Sequence, residues 1–172
     1  DLREHKDYQK ITTNGWEEEK VLQMLLSFSL NTNYGSRRHA YDYFKENRFV
    51  ANYCSEDSSS RLLTEAEFCQ KINQHQFVFS PPGNGIDCGR TWVALQLGSI
   101  PVVQSSILTE TYRDKLPIFI YDRVEQVTEK KLLKFYEKVR YNKNYEYDLL
   151  NIEYYSRIIY KIKKGKGKYF DS

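Results

Sequence analysis

An α/β domain with a mainly parallel sheet is the fold class that this sequence predicts, on three observations. Apolar runs of four to ten residues recur along the chain. Stretches with helical periodicity separate them, and the turns that leave the runs are rich in Gly, Ser, Asn and Asp. Short apolar strands alternating with helices belong to a parallel sheet covered on both faces.

The elements follow in order. Val21–Leu30 (VLQMLLSFSL) is the first strand, ended by NTNYGS and followed by the helix-like RRHAYDYFKEN. Phe49–Cys54 (FVANYC) is the second, leading into the polar loop SEDSSSR. Thr64 opens TEAE, a capping-box pattern that starts a helix over Glu65–Asn73. Phe77–Ser80 is the third strand, and the loop PPGNGIDCGR carries the chain into a helix from about Asp87 to Leu97. Gly98 stands where a helix C-terminus favours glycine, before a fourth strand at Ile100–Val103. Leu116–Tyr121 (LPIFIY) is the fifth strand, and Thr128–Arg140 is a helix. Residues 145–164 read as a final amphipathic helix, with Leu149, Ile152, Tyr155, Ile159 and Ile162 at helical spacing. Residues 1–20 read as a linker or incoming segment, 21–164 as the domain and 165–172 as a flexible tail. Because β-α-β crossovers are right-handed, these elements predict a Rossmann-like three-layer α/β/α domain. Its ligands would gather at the carboxyl ends of the strands.

Composition narrows the function. The chain has 172 residues, enough for one domain with a proper core. Its net charge of +3 and pI of about 8.6 fall well short of a nucleic-acid footprint, so no nucleic-acid partner is expected. Cys54, Cys69 and Cys88 form no CxxC pair and read as free thiols in a reducing compartment. With no membrane-span run and no signal-peptide core at the N-terminus, the expectation is a soluble, cytoplasmic chain.

Arg90 raises the functional question. A cation in the first turns of a helix opposes the dipole, at a cost of about 0.3–1 kcal/mol unless something compensates. Asp87 could pair with it, or an anion could sit on the amides exposed by Gly83, Gly85 and the helix start. The loop fits neither GxGxxG nor the Walker pattern. A second strand exit, SLNTNYGSRR, offers Thr32, Asn33 and Ser36 and places Arg37 or Arg38 at the next helix start. In a parallel sheet both exits open on one edge, and two converging arginines suit a diphosphate.

The same residues carry a family resemblance. FVFSPPGNGIDCGRTWVALQLGSIPVV, followed by LPIFIYDRVEQVTEKKL, resembles the C-terminal nucleotide-sugar-binding half of exostosin-like glycosyltransferases, which have the two-domain GT-B architecture. The family pattern runs strand–SPxGxGxDxxRxWEAL–xxGxIPVV–LP, after a strand ending NFSxxTN. This chain matches at SFSLNTN, Ser80, Pro82, Gly83, Gly85, Asp87, Arg90, Trp92, Ala94, Leu95, Gly98, Ile100, Pro101, Leu116 and Pro117. The resemblance spans about Leu25–Val139. It implies a glycosyltransferase that moves a sugar from a nucleotide diphosphate sugar to a glycan acceptor, with no cofactor and no metal. It also implies that Arg90, Arg37, Gly83 and Gly85 hold the donor diphosphate, and that Thr32, Asn33, Asn84, Asp87 and position 93 line the donor pocket.

Two departures qualify what the resemblance implies. Val93 stands where the family has an acidic residue for the ribose, which leaves Glu110 as an alternative. About twenty residues precede the first strand, so the acceptor site and general base are expected from an N-terminal domain or another chain. His39 and His75 read as structural or surface residues, and KIKKGKGK as a solvated tail, its alternative an anionic membrane or polyanion. The rival reading is a non-catalytic or truncated nucleotide-sugar-binding module that partners another chain.

Overall fold

The structure, a computed structural model, describes residues 19–54, 63–142 and 144–163. Five strands form one all-parallel sheet: β1 (Val21–Leu26), β2 (Val50–Asn52), β3 (His75–Ser80), β4 (Ile100–Gln104) and β5 (Phe119–Tyr121), in the order β2-β1-β3-β4-β5. The helices are α1 (Tyr34–Phe44), α2 (Glu65–Gln74), α3 (Gly89–Gln96), α4 (Ile107–Thr111), α5 (Glu129–Tyr141) and α6 (Ile152–Lys163). The predicted Rossmann-like α/β class is the observed one.

Successive strand side chains point to opposite faces, and the core divides accordingly. Met24, Leu26, Phe77, Phe79, Ile100 and Val102 face α1 and α5, where they meet Ala40, Phe44, Leu132 and Val139. Leu25 and Val78 face the other way, against Ile72 of α2 and Ala94 of α3. Strand β3, in the middle of the sheet, is buried at all 6 positions. That two-sided burial is why the strands read as apolar runs rather than as alternating ones.

Local chemistry sets the boundaries. Thr64 accepts the Glu67 N–H and Glu67 reaches back to the Thr64 N–H, the reciprocal cap that TEAE predicts. Gly98 follows α3 with φ 72°, a left-handed position that suits glycine. The first strand is shorter than predicted, because SFSL leaves the sheet before Asn33 turns into α1 with φ 48°. The predicted terminal helix is also broken. A 3-10 turn at Tyr147–Leu150 precedes α6, and Asn151 Oδ1 accepts the Glu153 N–H at 2.9 Å as a helix-capping side chain does. Helix α4 was not predicted; Ser106 and Thr109 cap it reciprocally. SEDSSSR, residues 1–18 and the tail 165–172 lie outside the described residues. No helix among the described residues is long and apolar enough to cross a membrane.

Candidate anion-binding site

The strand order reverses between β1 and β3, and in open α/β sheets ligands bind in the crevice at the carboxyl ends of such a pair. The segments leaving these strands, residues 27–33 and 81–88, meet at that crevice and Arg37 joins them. Its Nε donates to the Pro82 carbonyl at 3.0 Å and its Nη1 to the Ser29 carbonyl at 3.0 Å. Arg37 is 5% exposed, and its guanidinium lies 5.7 Å from the centre of the Phe28 ring. Arg38, the alternative from the sequence, turns outward to Asp42 at 2.9 Å.

Arg90 approaches the same ring from α3. Its guanidinium carbon lies 5.8 Å from the Phe28 centroid and 5.7 Å from that of Phe68. Nη1 donates to Cys88 Sγ at 3.4 Å, a weak acceptor, and among the described residues the buried Nε has no hydrogen-bond partner. Asp87 does not pair with it: its Oδ1 accepts Trp92 Nε1–H at 2.8 Å. Among the described residues neither Arg37 nor Arg90 has a carboxylate partner. Burial lowers the pKa of Arg90, and the Arg37 charge adds to this. Burial likewise lowers that of Arg37. Burial also pushes the neighbouring Cys54 thiol up to about 11, so it stays neutral and supplies no counter-charge.

The helix starts point the same way. At α1 the N-cap is Asn33 and at α3 it is Cys88; neither makes a side-chain capping bond, and neither first turn holds an acidic residue. Helices α2, α4 and α5 are all capped, by Thr64, Ser106 and Thr128. Among the described residues, the two helices flanking the crevice are thus the ones whose N-cap side chains leave the first N–H groups unsatisfied. Ser80 Oγ and Thr91 Oγ1, 2.9 Å apart, fasten the start of α3 to the end of β3.

The glycine loop sits between the arginines and a second space. Its Gly83 N–H donates to the Gly85 carbonyl at 3.1 Å. A methyl group on Gly83 would lie 3.1 Å from Arg37 Nη2 and 3.9 Å from Thr32 Cγ2. Thr32, Gly83 and Arg37 are thus brought together, while Asn33, Asn84 and Gly85 are exposed around them. Beyond the loop lies a cleft of about 80 Å³ between Pro82, Asp87, Trp92, Gln104 and Tyr112; neither arginine lines it. Val93, one turn after Arg90, packs with Phe68 and Cys69 in the second core cluster. Glu110 is taken by Arg113, at 2.6 Å to Nη2, and by Ser105 Oγ at 2.8 Å, contacts that hold its carboxyl down to about 2.

The histidines fall as the sequence reading has them. His75 is buried at the amino end of β3, its Nδ1 2.7 Å from the Lys71 carbonyl. His39 is exposed and 3.2 Å from Glu125. Phe28, Phe68, Cys54 and the two anchoring carbonyls were not anticipated. They carry no local signal, because what matters about them is contact between different segments of the chain. No protein-family model matches the sequence, and no curated protein is significantly similar to it.

Proposed function

We propose that this domain binds the diphosphate of a nucleotide sugar between Arg37, Arg90 and the Gly83–Gly85 loop, as the donor-binding half of a glycosyltransferase. One observation carries the reading. The buried guanidinium of Arg37 and the half-buried one of Arg90 converge on one aromatic ring at a sheet switch point, without a carboxylate among the described residues, beside two uncapped helix starts. A buried charge needs a partner, and a dianionic ligand would supply it for both.

The chemistry asked of this chain is leaving-group stabilisation. As the bond from the anomeric carbon to the diphosphate oxygen breaks, negative charge grows on the phosphate. Fixed cations and backbone N–H groups in a dry site then stabilise the transition state more than the ground state. Arg37 is already held by two carbonyls and needs no reorganisation. The acceptor and the general base come from elsewhere, since His75 lies at the amino end of the sheet and His39 is paired with Glu125.

A second reading, a sugar-nucleotide-binding module without transfer activity, is favoured by one feature. Val93 is a partly buried apolar side chain packed against the core and the Glu110 carboxylate is occupied, so neither offers an acceptor to the ribose hydroxyls. Titration calorimetry with uridine and guanosine diphosphates and with pyrophosphate tests the shared premise. Saturable binding to a diphosphate supports it, and its absence removes both readings. Release of free sugar from a panel of nucleotide sugars then separates an enzyme from a binding module.

A further inference from the structure

We infer that helix α6 is a docking surface for a bilayer bearing anionic headgroups. The helix spans Ile152–Lys163 and packs against the 3-10 turn at Tyr147–Leu150. Tyr154 and Ile158 are half-buried, and the Tyr155 hydroxyl donates to the Leu149 carbonyl at 3.0 Å. The apolar stripe continues past this contact into solvent. At 100° per residue Ile152, Tyr155 and Ile159 share one side, and Ile152 is 70% and Ile159 52% exposed. Glu153, Arg157 and Tyr160 lie away from that stripe, which Ser156 and Lys163 border.

Charge names the occupant. Six of the chain's 26 basic residues and two of its 23 acidic ones fall in 152–172, which makes this segment +4 and the remainder −1. The basic residues are Arg157, Lys161, Lys163, Lys164, Lys166 and Lys168, within and directly after the helix. The excess positive charge of the chain is thus carried by the one stretch of sequence that also contains the exposed apolar positions Ile152 and Ile159. A helix with an apolar stripe and a basic polar face lies in the plane of a membrane interface, its apolar residues among the acyl chains and its cations among the headgroups. Each basic residue near an anionic surface adds roughly fivefold to the affinity. A protein groove would be served by the apolar stripe alone and gives no reason for the adjoining lysines.

The test is sedimentation of the full chain with vesicles of phosphatidylcholine, alone or mixed with phosphatidylserine. Binding is expected only to the mixed vesicles, with a steep fall as salt is raised. The double variant Ile152→Asp/Ile159→Asp alters two exposed positions, and unchanged circular dichroism will show that the fold persists. It is expected to lose at least tenfold in vesicle affinity. Equal binding to neutral vesicles, no binding to either, or undiminished binding by a folded double variant would each overturn the inference. So would a parent chain that self-associates in analytical ultracentrifugation and a double variant that does not, because the face would then belong to a second copy. Diphosphate affinity plays no part in these readouts, so the inference stands or falls independently of the proposed function.

Discussion

Replacing Arg90 by methionine separates what this arginine costs the fold from what it contributes to a ligand. In the free protein the guanidinium lies against Phe28 and Phe68, and each cation–π contact is worth about 0.5–2 kcal/mol. A methionine sulfur against the same rings recovers about 0.3–1.5 kcal/mol apiece, which offsets most of that loss. What remains is the buried Nε without an acceptor, a penalty of about 1–3 kcal/mol, together with repulsion from Arg37. Arg90→Met is therefore expected to stabilise the free domain by up to about 2 kcal/mol, and a domain of this size gains roughly 2–4 °C in Tm per kcal/mol. Diphosphate affinity moves the opposite way. Losing one partner of a buried charge pair costs about 2–5 kcal/mol, or roughly 30- to 4,000-fold in Kd. Differential scanning fluorimetry and titration calorimetry on the same preparation read both effects. A lower Tm with unchanged affinity for uridine diphosphate and pyrophosphate would refute the argument, and would make Arg90 an ordinary packing residue.

Three other outcomes are expected. Gly83→Ala places a methyl group 3.1 Å from an Arg37 already pinned by two carbonyls, whereas at Gly85 the nearest atom is 4.0 Å away. Calorimetry should show a loss of at least about tenfold for the first and little change for the second; equal effects would detach Gly83 from the site. Val93→Glu puts a carboxylate one turn from Arg90 and should raise the ratio of nucleoside diphosphate to pyrophosphate affinity, because only the former carries ribose hydroxyls. A fall in that ratio in a folded variant would mean that the ribose lies elsewhere. For His75, burial lowers the pKa from 6.5, so the unfolded chain binds the proton first as pH falls. Stability linked to the neutral ring is complete above 6.5 and is lost as pH drops through the folded-state value. His75→Asn retains a donor toward the Lys71 carbonyl and should flatten the fall in Tm between pH 7 and 5. An unchanged slope would assign the acid sensitivity to another group.

The parts of the fold legible in the sequence are those decided within a few residues. TEAE states its own cap, Gly98 its own left-handed turn, and the apolar runs their two-sided burial. Strand and helix alternation was enough for the layer order, because parallel neighbours need a crossover between them. The site was legible only in part. Arg37, Arg90 and the glycine loop stand out by residue type, yet the sequence left two partners open for Arg90. The choice turns on Asp87 reaching Trp92, five residues along, and on Phe28 and Phe68 closing over the guanidinium from other elements. Helix α6 shows a similar limit. Its periodicity is plain in Ile152, Tyr155 and Ile159, but periodicity is silent on whether an apolar stripe is covered.

The two carbonyl bonds of Arg37 make it a tie-rod as well as a charge. Ser29 belongs to the segment leaving β1 and Pro82 to the one leaving β3, so a single side chain spans the mouth of the crevice and removes the slack between its two lips. A push on either lip is transmitted to the other through a planar, two-pronged strut. Lysine could carry the charge but, with one tip at the end of a pliant stem, could not brace both sides at a set angle. The spacing of the jaws is thus gauged by the length of an arginine side chain, which makes position 37 the caliper of the site.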